Sequence, residues 1–310
     1  MSSVILEGQS LSKKYGEVIA LDDLSIEVFR GEVFGLLGPN GAGKTTAINI
    51  LVGLLKPDSG QVYLDGRRIF EGQKNALDHV GVCPQQITLW GRLTCIEQLI
   101  FIGNMYGMSS RAAKERGGDL LRTLGLEHKR NKLVKTLSGG MQRRLNLAMS
   151  LIHDPHILVL DEPEAGLDPQ SRILVREYLK SLAGEKTIIL TSHNMDEVDR
   201  IADRVAIIDQ GKVLILDAPE RLKASVGAGD VVEIKTNTWN RDLNQILETF
   251  DVQYEVVDDV IFIRGYKVIQ LLPDLISLLK SNQIIPENIQ LRENSLEDVF
   301  IQFTGRRLRE

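Results

Sequence analysis

The run Val33–Leu37 passes without a break into Gly38-Pro39-Asn40-Gly41-Ala42-Gly43-Lys44-Thr45 and then into the helical pattern Thr46–Leu54. A buried strand that turns through glycines into a helix start matches the spacing GxxxxGK[ST] in the setting its chemistry requires. The glycines let backbone N–H groups converge on phosphate oxygens with no Cβ in the way. Lys44 can reach the β- and γ-phosphates, and Thr45 offers a hydroxyl to Mg²⁺. A functionless strand-to-helix turn is the bland alternative, and an intact motif after a strand speaks against it. The segment Gly38–Thr46, with Thr46 closing it, is therefore the first candidate ligand site.

The rest of the chain reads as α/β. Short strands are expected at Val4–Leu6, Val18–Ala20, Leu24–Val28, Gln61–Leu64 and His79–Cys83. A mostly helical stretch covers residues 90–152, with breaks at Gly103, Gly107–Ser110 and Gly125. Strand and helix then alternate: Ile157–Leu160, Pro169–Leu182, Thr187–Leu190, Met195–Ala202, Val205–Ile208 and, past Gly211, Val213–Leu216. That order predicts parallel pairing with right-handed crossovers. The run SVGAGD at Ser225–Asp230 marks a boundary. Beyond it, Val231–Lys235, a helix Leu243–Phe250, two strands across Asp258-Asp259, a helix Val268–Leu279 with Pro273 in its first turn, a strand Ile284–Leu291 and a last helix give a small α+β domain of βαββαβα order. Ser295 and Asp298 have capping-box spacing, with Asp in place of Glu. Domains are expected at 1–224 and 225–310.

At 310 residues such a chain needs no disulfide or metal to hold its core. Its two cysteines, Cys83 and Cys95, fit neither a metal knuckle nor a redox pair. No apolar run approaches 18 residues and the N-terminal segment lacks a signal-peptide core, so a reducing, cytosolic setting is expected. The 42 acidic and 37 basic residues give a net charge of −5, and all of the excess lies from Val226 onward. An acidic chain with no basic face argues against nucleic acid as a partner.

Further chemistry follows the helical stretch. Ile157–Leu160 ends in Asp161-Glu162, two carboxylates delivered to the edge of the sheet that carries the phosphate loop. Alone, such a pair is usually just solvated. Beside a phosphate loop, Asp161 suits Mg²⁺ held through water and Glu162 suits polarisation of an attacking water. Leu137-Ser138-Gly139-Gly140-Met141 opens a helix, and Ser138 reads equally as its N-cap or as part of a second anion site. Arg143 and Arg144, on the same helix, read as a solvated face. His153 and His156 flank Asp154-Pro155 in a loop, a poor setting for a metal.

With these motifs in this order, the chain resembles the ATPase subunit of an ATP-binding cassette (ABC) transporter over roughly Val4 to Asp217. The resemblance implies a P-loop NTPase cassette with a parallel core sheet, an antiparallel β subdomain and a helical subdomain, working with ATP and Mg²⁺. It makes Ser138, Gly139 and Gly140 the signature that completes a partner's ATP site in a head-to-tail dimer. Four more positions match: Tyr15 as the aromatic on adenine, Gln85 as the glutamine at Mg²⁺ and the attacking water, Asp168 as the acid crossing the interface, and His193 as the switch histidine. Read locally, Tyr15 is packing, Gln85 a surface amide and Asp168 an N-cap before Pro169. The resemblance thus implies Glu162, His193, Lys44 and Gln85 as catalytic and Thr45, Gln85 and Asp161 as metal-directed.

The sequence departs from the pattern at Met141, where many cassettes have Gln, and at Glu164-Ala165, which add a charge. The ending Ser295–Gly305 looks like the tail of cassette subunits in drug, antibiotic and polysaccharide exporters. The expected partners are therefore a second cassette, identical or paralogous, and a separate multi-span membrane subunit, at the cytoplasmic face of the cell membrane. A soluble ribosome or chromosome ATPase is the competing class. A single cassette with only 52 residues between Gln85 and Ser138 leaves no room for the coiled coil a chromosome ATPase needs. A non-hydrolysing regulatory module is disfavoured by the intact Glu162 and His193.

Overall fold

A computed structural model describes residues 3–69, 79–226, 230–235, 252–257, 260–265, 268–281 and 286–305. The chain divides into two compact units, Met1–Leu216 and Asp217–Glu310.

The first unit holds two sheets. Strands β1 (Val4–Tyr15), β2 (Val18–Phe29), β4 (Ser59–Leu64) and β5 (Arg67–Ile69) form an antiparallel sheet in the order β2-β1-β4-β5. Strands β3 (Val33–Leu37), β6 (Val80–Cys83), β7 (Ile157–Asp161), β8 (Thr187–Ser192), β9 (Arg204–Asp209) and β10 (Lys212–Asp217) form the second, in the order β10-β9-β3-β8-β7-β6. Its neighbours from β9 to β6 pair in parallel, as the strand–helix alternation predicts. Every residue of β3 and of β7 is buried, because a parallel strand covered on both faces must be apolar throughout.

Helix α1 (Lys44–Leu51) joins the two sheets. Its Ala47, Ile48, Ile50 and Leu51 share one core with Leu24 and Ile26 of the antiparallel sheet and Phe34, Leu36, Val159 and Ile189 of the parallel one. Each fully buried side chain of this size contributes about 1.5–3 kcal/mol. The phosphate loop thus hangs from two layers that pack as one.

Between β6 and β7 lie α2 (Cys95–Met105), α3 (Ser110–Thr123), two short 3₁₀ turns and α4 (Gly139–Leu151). Each helix start is fixed by a side chain: Thr94 with Glu97 in a capping box, Ser109 and Ser138. Gly103, expected as a break, is instead buried inside α2. A Cβ there would come 2.7 Å from Ala113 Cβ, so its role is to let α2 and α3 approach. Helices α5 (Pro169–Leu182) and α6 (Met195–Asp199) complete the unit, α6 ending three residues before the expected Ala202.

The second unit starts with α7 (Pro219–Ser225), which packs on the last helix, α9 (Leu296–Thr304), so the division precedes α7 rather than following it. Strands β11 (Asp230–Lys235), β12 (Gln253–Val257), β13 (Val260–Gly265) and β14 (Asn288–Arg292) make an antiparallel sheet in the order β12-β13-β11-β14. Alternation along β11 and β13 divides their side chains between two cores. Val232, Ile234, Ile261 and Ile263 meet Val268, Leu275 and Leu279 of α8 (Val268–Ser281), while Val231, Val260 and Phe262 meet Ile301 of α9. Pro273 sits inside α8, a turn further along than expected. Ser295 and Asp298 form the capping box of α9, and the expected helix 243–250 lies outside the described residues.

Candidate functional site at the carboxyl edge of the parallel sheet

The site is assembled where β3, β8, β7 and β6 end side by side. After β3 the loop Gly38–Gly43 turns through left-handed conformations at Gly41 and Gly43, with φ of 82° and 104°. At Gly38 and Gly43 a Cβ would meet the carbonyls of Ile208 and Ala20 at 2.2 and 2.3 Å, so no larger residue fits either place. Pro39, Asn40 and Ala42 fill the turn between them, and Thr46 lies in the first turn of α1.

Lys44 is 6% exposed, and its Nζ donates to the carbonyls of Gly38 at 2.7 Å and Pro39 at 3.0 Å. Burial pulls its ammonium below the usual lysine range, while the carboxylates of Glu162 and Asp161 pull the other way. The cation is thus held over the loop, partly desolvated, without a carboxylate bonded to it.

Asp161 ends β7, where its Oδ2 accepts from Thr45 Oγ1 at 2.9 Å and its Oδ1 from Thr191 Oγ1. Thr191 has no exposed surface and also accepts from the Glu162 N–H, at 3.1 Å. Glu162 itself is 8% exposed and takes a left-handed backbone, φ 50°, which costs a non-glycine residue about 1–2 kcal/mol. That turn out of the strand brings Glu162 Oε1 to 2.8 Å from His193 Nδ1 and Oε2 to 3.4 Å from Gln85 Nε2. Lys44, Thr45, Gln85, Asp161, Glu162 and His193, spread over 150 positions of sequence, therefore meet in one place.

The remaining sequence-chosen residues lie apart from this cluster. Tyr15 is half exposed at the end of β1, with Lys13 Nζ 5.9 Å from its ring. Ser138 and Gly139 are exposed at the start of α4, where Ser138 Oγ accepts from the Met141 N–H at 3.3 Å, so the cap is real and leaves the outer N–H groups free to face an anion. Gly140 lies near the loop that ends in Asp168; a Cβ on it would be 3.7 Å from Asp168 Oδ2. Asp168 caps α5 through the Ser171 N–H at 3.0 Å and hydroxyl at 2.7 Å, and these bonds hold its carboxyl below the usual range. Glu164 is pushed up to about 7, first by burial and then by the neighbouring Glu197.

Two residues of the neighbourhood escape sequence reasoning. Thr191 is only a polar end to an apolar strand in the sequence. Arg143, expected on a solvated face, is 3% exposed, because backbone carbonyls from distant segments surround its guanidinium. The two histidines at the Asp154-Pro155 turn stack on other rings, His153 on Tyr106 and His156 on His79. Cys83 and Cys95 are free and buried, and burial pushes the Cys83 thiol up to about 11, so it stays protonated.

This donor set suits a nucleotide phosphate with a hard cation. The loop is a cradle that a Cβ would fill, and the oxygens of Thr45 and Asp161 are of the kind Mg²⁺ takes, one or two from protein and the rest from phosphate and water. Among the described residues no group of three His, Cys, Asp or Glu stands ready to hold a metal unaided. Fold and site together define a phosphate-loop ATPase of the cassette class.

Comparison with known proteins makes this specific. The family described as ABC transporter matches residues 21–165. Linearmycin resistance ATP-binding protein LnrL of Bacillus subtilis is 34% identical over 314 residues, spanning 99% of this chain and 100% of that protein. Nod factor export ATP-binding protein I of Ralstonia nicotianae is 39% identical over 310 residues, spanning 100% and 96%. A dimeric cassette in a post-hydrolysis state with ADP and Pi superposes with TM-score 0.64 at 28% identity, over 69% of this chain and 98% of the other. A nucleotide-free cassette superposes with the same score over 72% and 94%. The chain belongs to the ABC transporter family as an ATP-binding, ATP-hydrolysing subunit.

Proposed function

We propose that the chain hydrolyses ATP at the interface of two cassettes placed head to tail, and that closing and reopening of this interface drives export through a separate membrane-spanning partner at the cytoplasmic face of the membrane. The observation that carries the reading is the grip on Glu162. Its carboxylate is turned out of β7 by a left-handed backbone and bracketed by His193 and Gln85, which presents a held base at the sheet edge that carries the phosphate loop.

In this reading Lys44 and the loop N–H groups bind the phosphates, and Tyr15 offers its exposed ring to the base. Thr45, with Asp161 and Gln85 close by, would hold Mg²⁺, which would supply positive charge beside the transferring phosphoryl group. Glu162 Oε2 takes a proton from the attacking water as His193 holds the other oxygen in place, and Gln85 orients that water. Ser138, Gly139 and Gly140, with the exposed N-terminus of α4 behind them, face the γ-phosphate held by the second cassette, and Asp168 lies across the same interface. The names of the relatives, one in Nod factor export and one in linearmycin resistance, support export as the direction. Among the described residues no helix is long and apolar enough to cross a membrane, which is in keeping with a separate membrane partner.

The test is Glu162→Gln. The variant is expected to bind ATP with wild-type affinity and to collect as an ATP-dependent dimer on size exclusion, while phosphate release drops by about 10²–10⁴-fold, the usual worth of a general base. Wild-type turnover in this variant would remove Glu162 from the mechanism.

A further inference from the structure

Arg143 lies on α4, on the helix that Ser138 opens, and its guanidinium spends every donor direction on backbone carbonyls. Nη1 donates to Pro84 O and Gln85 O, both at 2.8 Å. Nη2 donates to Asp161 O at 2.6 Å and Glu162 O at 2.5 Å, and Nε to Pro163 O at 3.4 Å. The acceptors form two groups, one just past the end of β6 and one at and past the end of β7. The ladder between these strands stops at the pair Cys83 and Leu160, so beyond it the two segments no longer pair with each other. Arg143 replaces that lost pairing and keeps the two segments in register for one more step.

Stability alone does not call for this side chain. A buried cation is desolvated at a cost of several kcal/mol, and all five of its acceptors are neutral. What the arrangement does achieve is geometric: the backbone of Gln85 and the backbone of Glu162 are tied to the same planar fork, and that fork is carried by the helix whose exposed end is Ser138-Gly139.

We propose that Arg143 is a positioning residue for hydrolysis, setting Gln85 against Glu162 and linking both to α4, so that an anion engaged at Ser138 by one site is felt at the same chain's own Glu162. The roles of Glu162 and Ser138 in this proposal rest on the function proposed above. From Ser138 to Arg143 the helix is about 7.5 Å long at 1.5 Å per residue, a span over which an α-helix is rigid. A displacement at its start therefore arrives at the guanidinium.

Arg143→Lys tests the proposal. The ammonium keeps the charge and can satisfy one group of carbonyls, but a point donor cannot bridge both as a planar fork does. ATPase rates against ATP concentration, with the melting temperature of the same preparation, supply the readouts. The expected result is a kcat reduced about tenfold or more, since misplacement of about 1 Å can cost a hundredfold, with KM for ATP within about twofold and a melting temperature lowered by the carbonyls that lose a donor but still well above the assay temperature. The Hill coefficient for ATP is expected to exceed 1 in the wild type and to fall toward 1 in the variant. Arg143→Gln, which is shorter and neutral, gives the same pattern where the lysine variant folds poorly. Wild-type kcat in a folded variant overturns the positioning role, as does a kcat loss that vanishes when the assay is run well below the melting temperature. A wild-type Hill coefficient of 1, or one unchanged by the substitution, overturns the link through α4. These outcomes are separate from failure of the Glu162 reading, in which Glu162→Gln turns over normally whatever Arg143 does.

Discussion

The two units each bury a carboxylate at a helix or strand end and treat it in opposite ways. In the C-terminal unit Asp298 has no exposed surface; its oxygens accept from Arg292 and Arg264 and from the Ser295 N–H and hydroxyl. Burial opposes its ionisation, but Arg292 and the cap bonds prevail and hold it below the usual range. In the cassette Asp161 and Glu162 are nearly as buried, at 5% and 8%, yet their partners are two hydroxyls, an amide and an imidazole. The cations beside them, Lys44 and Arg143, are bonded to backbone carbonyls instead. One region cancels its charges internally and gains a fixed shape. The other leaves charges of both signs held apart, and that separation is what a bound phosphate and cation can use.

The comparison breaks most visibly at Lys44. Lys44→Ala is expected to abolish ATPase activity and weaken ATP binding by at least about a hundredfold with only a modest drop in melting temperature, because the Gly38 and Pro39 carbonyls lose a donor but no carboxylate bonded to the lysine is left unpaired; titration with a fluorescent ATP analogue checks it. Asp298→Ala should do the reverse, costing about 3–5 kcal/mol of stability in the C-terminal unit by removing the buried carboxylate that Arg292 and Arg264 share, which leaves them only Glu233 and Glu255 at the edge of the cluster. Urea unfolding of the full chain reads that loss, and a cassette that still hydrolyses ATP would sharpen the contrast.

A smaller effect tests whether Glu164 belongs with the strained side of the comparison. Its carboxyl is raised from 4.5 to about 7 beside Glu197, with Arg176 and Arg172 only partly compensating. Below the unfolded value it is protonated in both states and costs nothing. As pH climbs from about 4.5 to 7 the unfolded chain ionises first, and the fold loses stability until the folded value is passed. Glu164→Gln, which keeps a donor toward Glu197, should match wild type in thermal melts at pH 4 and exceed it by on the order of 1–2 kcal/mol at pH 8. The least perturbing pair is Ser138→Ala and Ser295→Ala. Each loses an N-cap worth about 1 kcal/mol or less, but only Ser138→Ala should also lower ATP turnover.

What the sequence discloses about this fold follows the physics of each element. Val33–Leu37 and Pro169–Leu182 are legible to the residue, one because a strand buried on both faces is apolar throughout, the other because Asp168 and Pro169 mark the helix start. The hairpin β1–β2 reads as three short pieces because its register shifts at several points, among them between Gly8 and Leu11, and each irregularity interrupts the alternation that identifies a strand. The site motifs are legible because each is compact in sequence. Arg143 is not, since its acceptors lie 18 to 59 residues away and are backbone atoms, which leave no mark in the identity of a residue. Local pattern sees a charge on a helix and assigns it to water; only the convergence of β6, β7 and α4 shows otherwise.

The way the helical segment joins the parallel sheet fixes what may change around the site. The chain leaves at Cys83 and returns at Ile157 on the adjacent strand, with Val80 opposite Ile157 in register. Because the strands are parallel and Cys83 lies opposite Leu160, exit and return fall at opposite ends of the pair, and about 10 Å of strand length together with the lateral spacing of about 4.8 Å sets the mouth of the excursion. Helices can lengthen, rotate or be replaced within residues 86–156 without moving Asp161 relative to Lys44, because the sheet and not the insertion sets that distance. The sheet edge that carries Lys44, Asp161 and Glu162 can therefore stay constant while the insertion diversifies, and the few bonds tying the two together, those of Arg143 among them, are where such diversification is constrained.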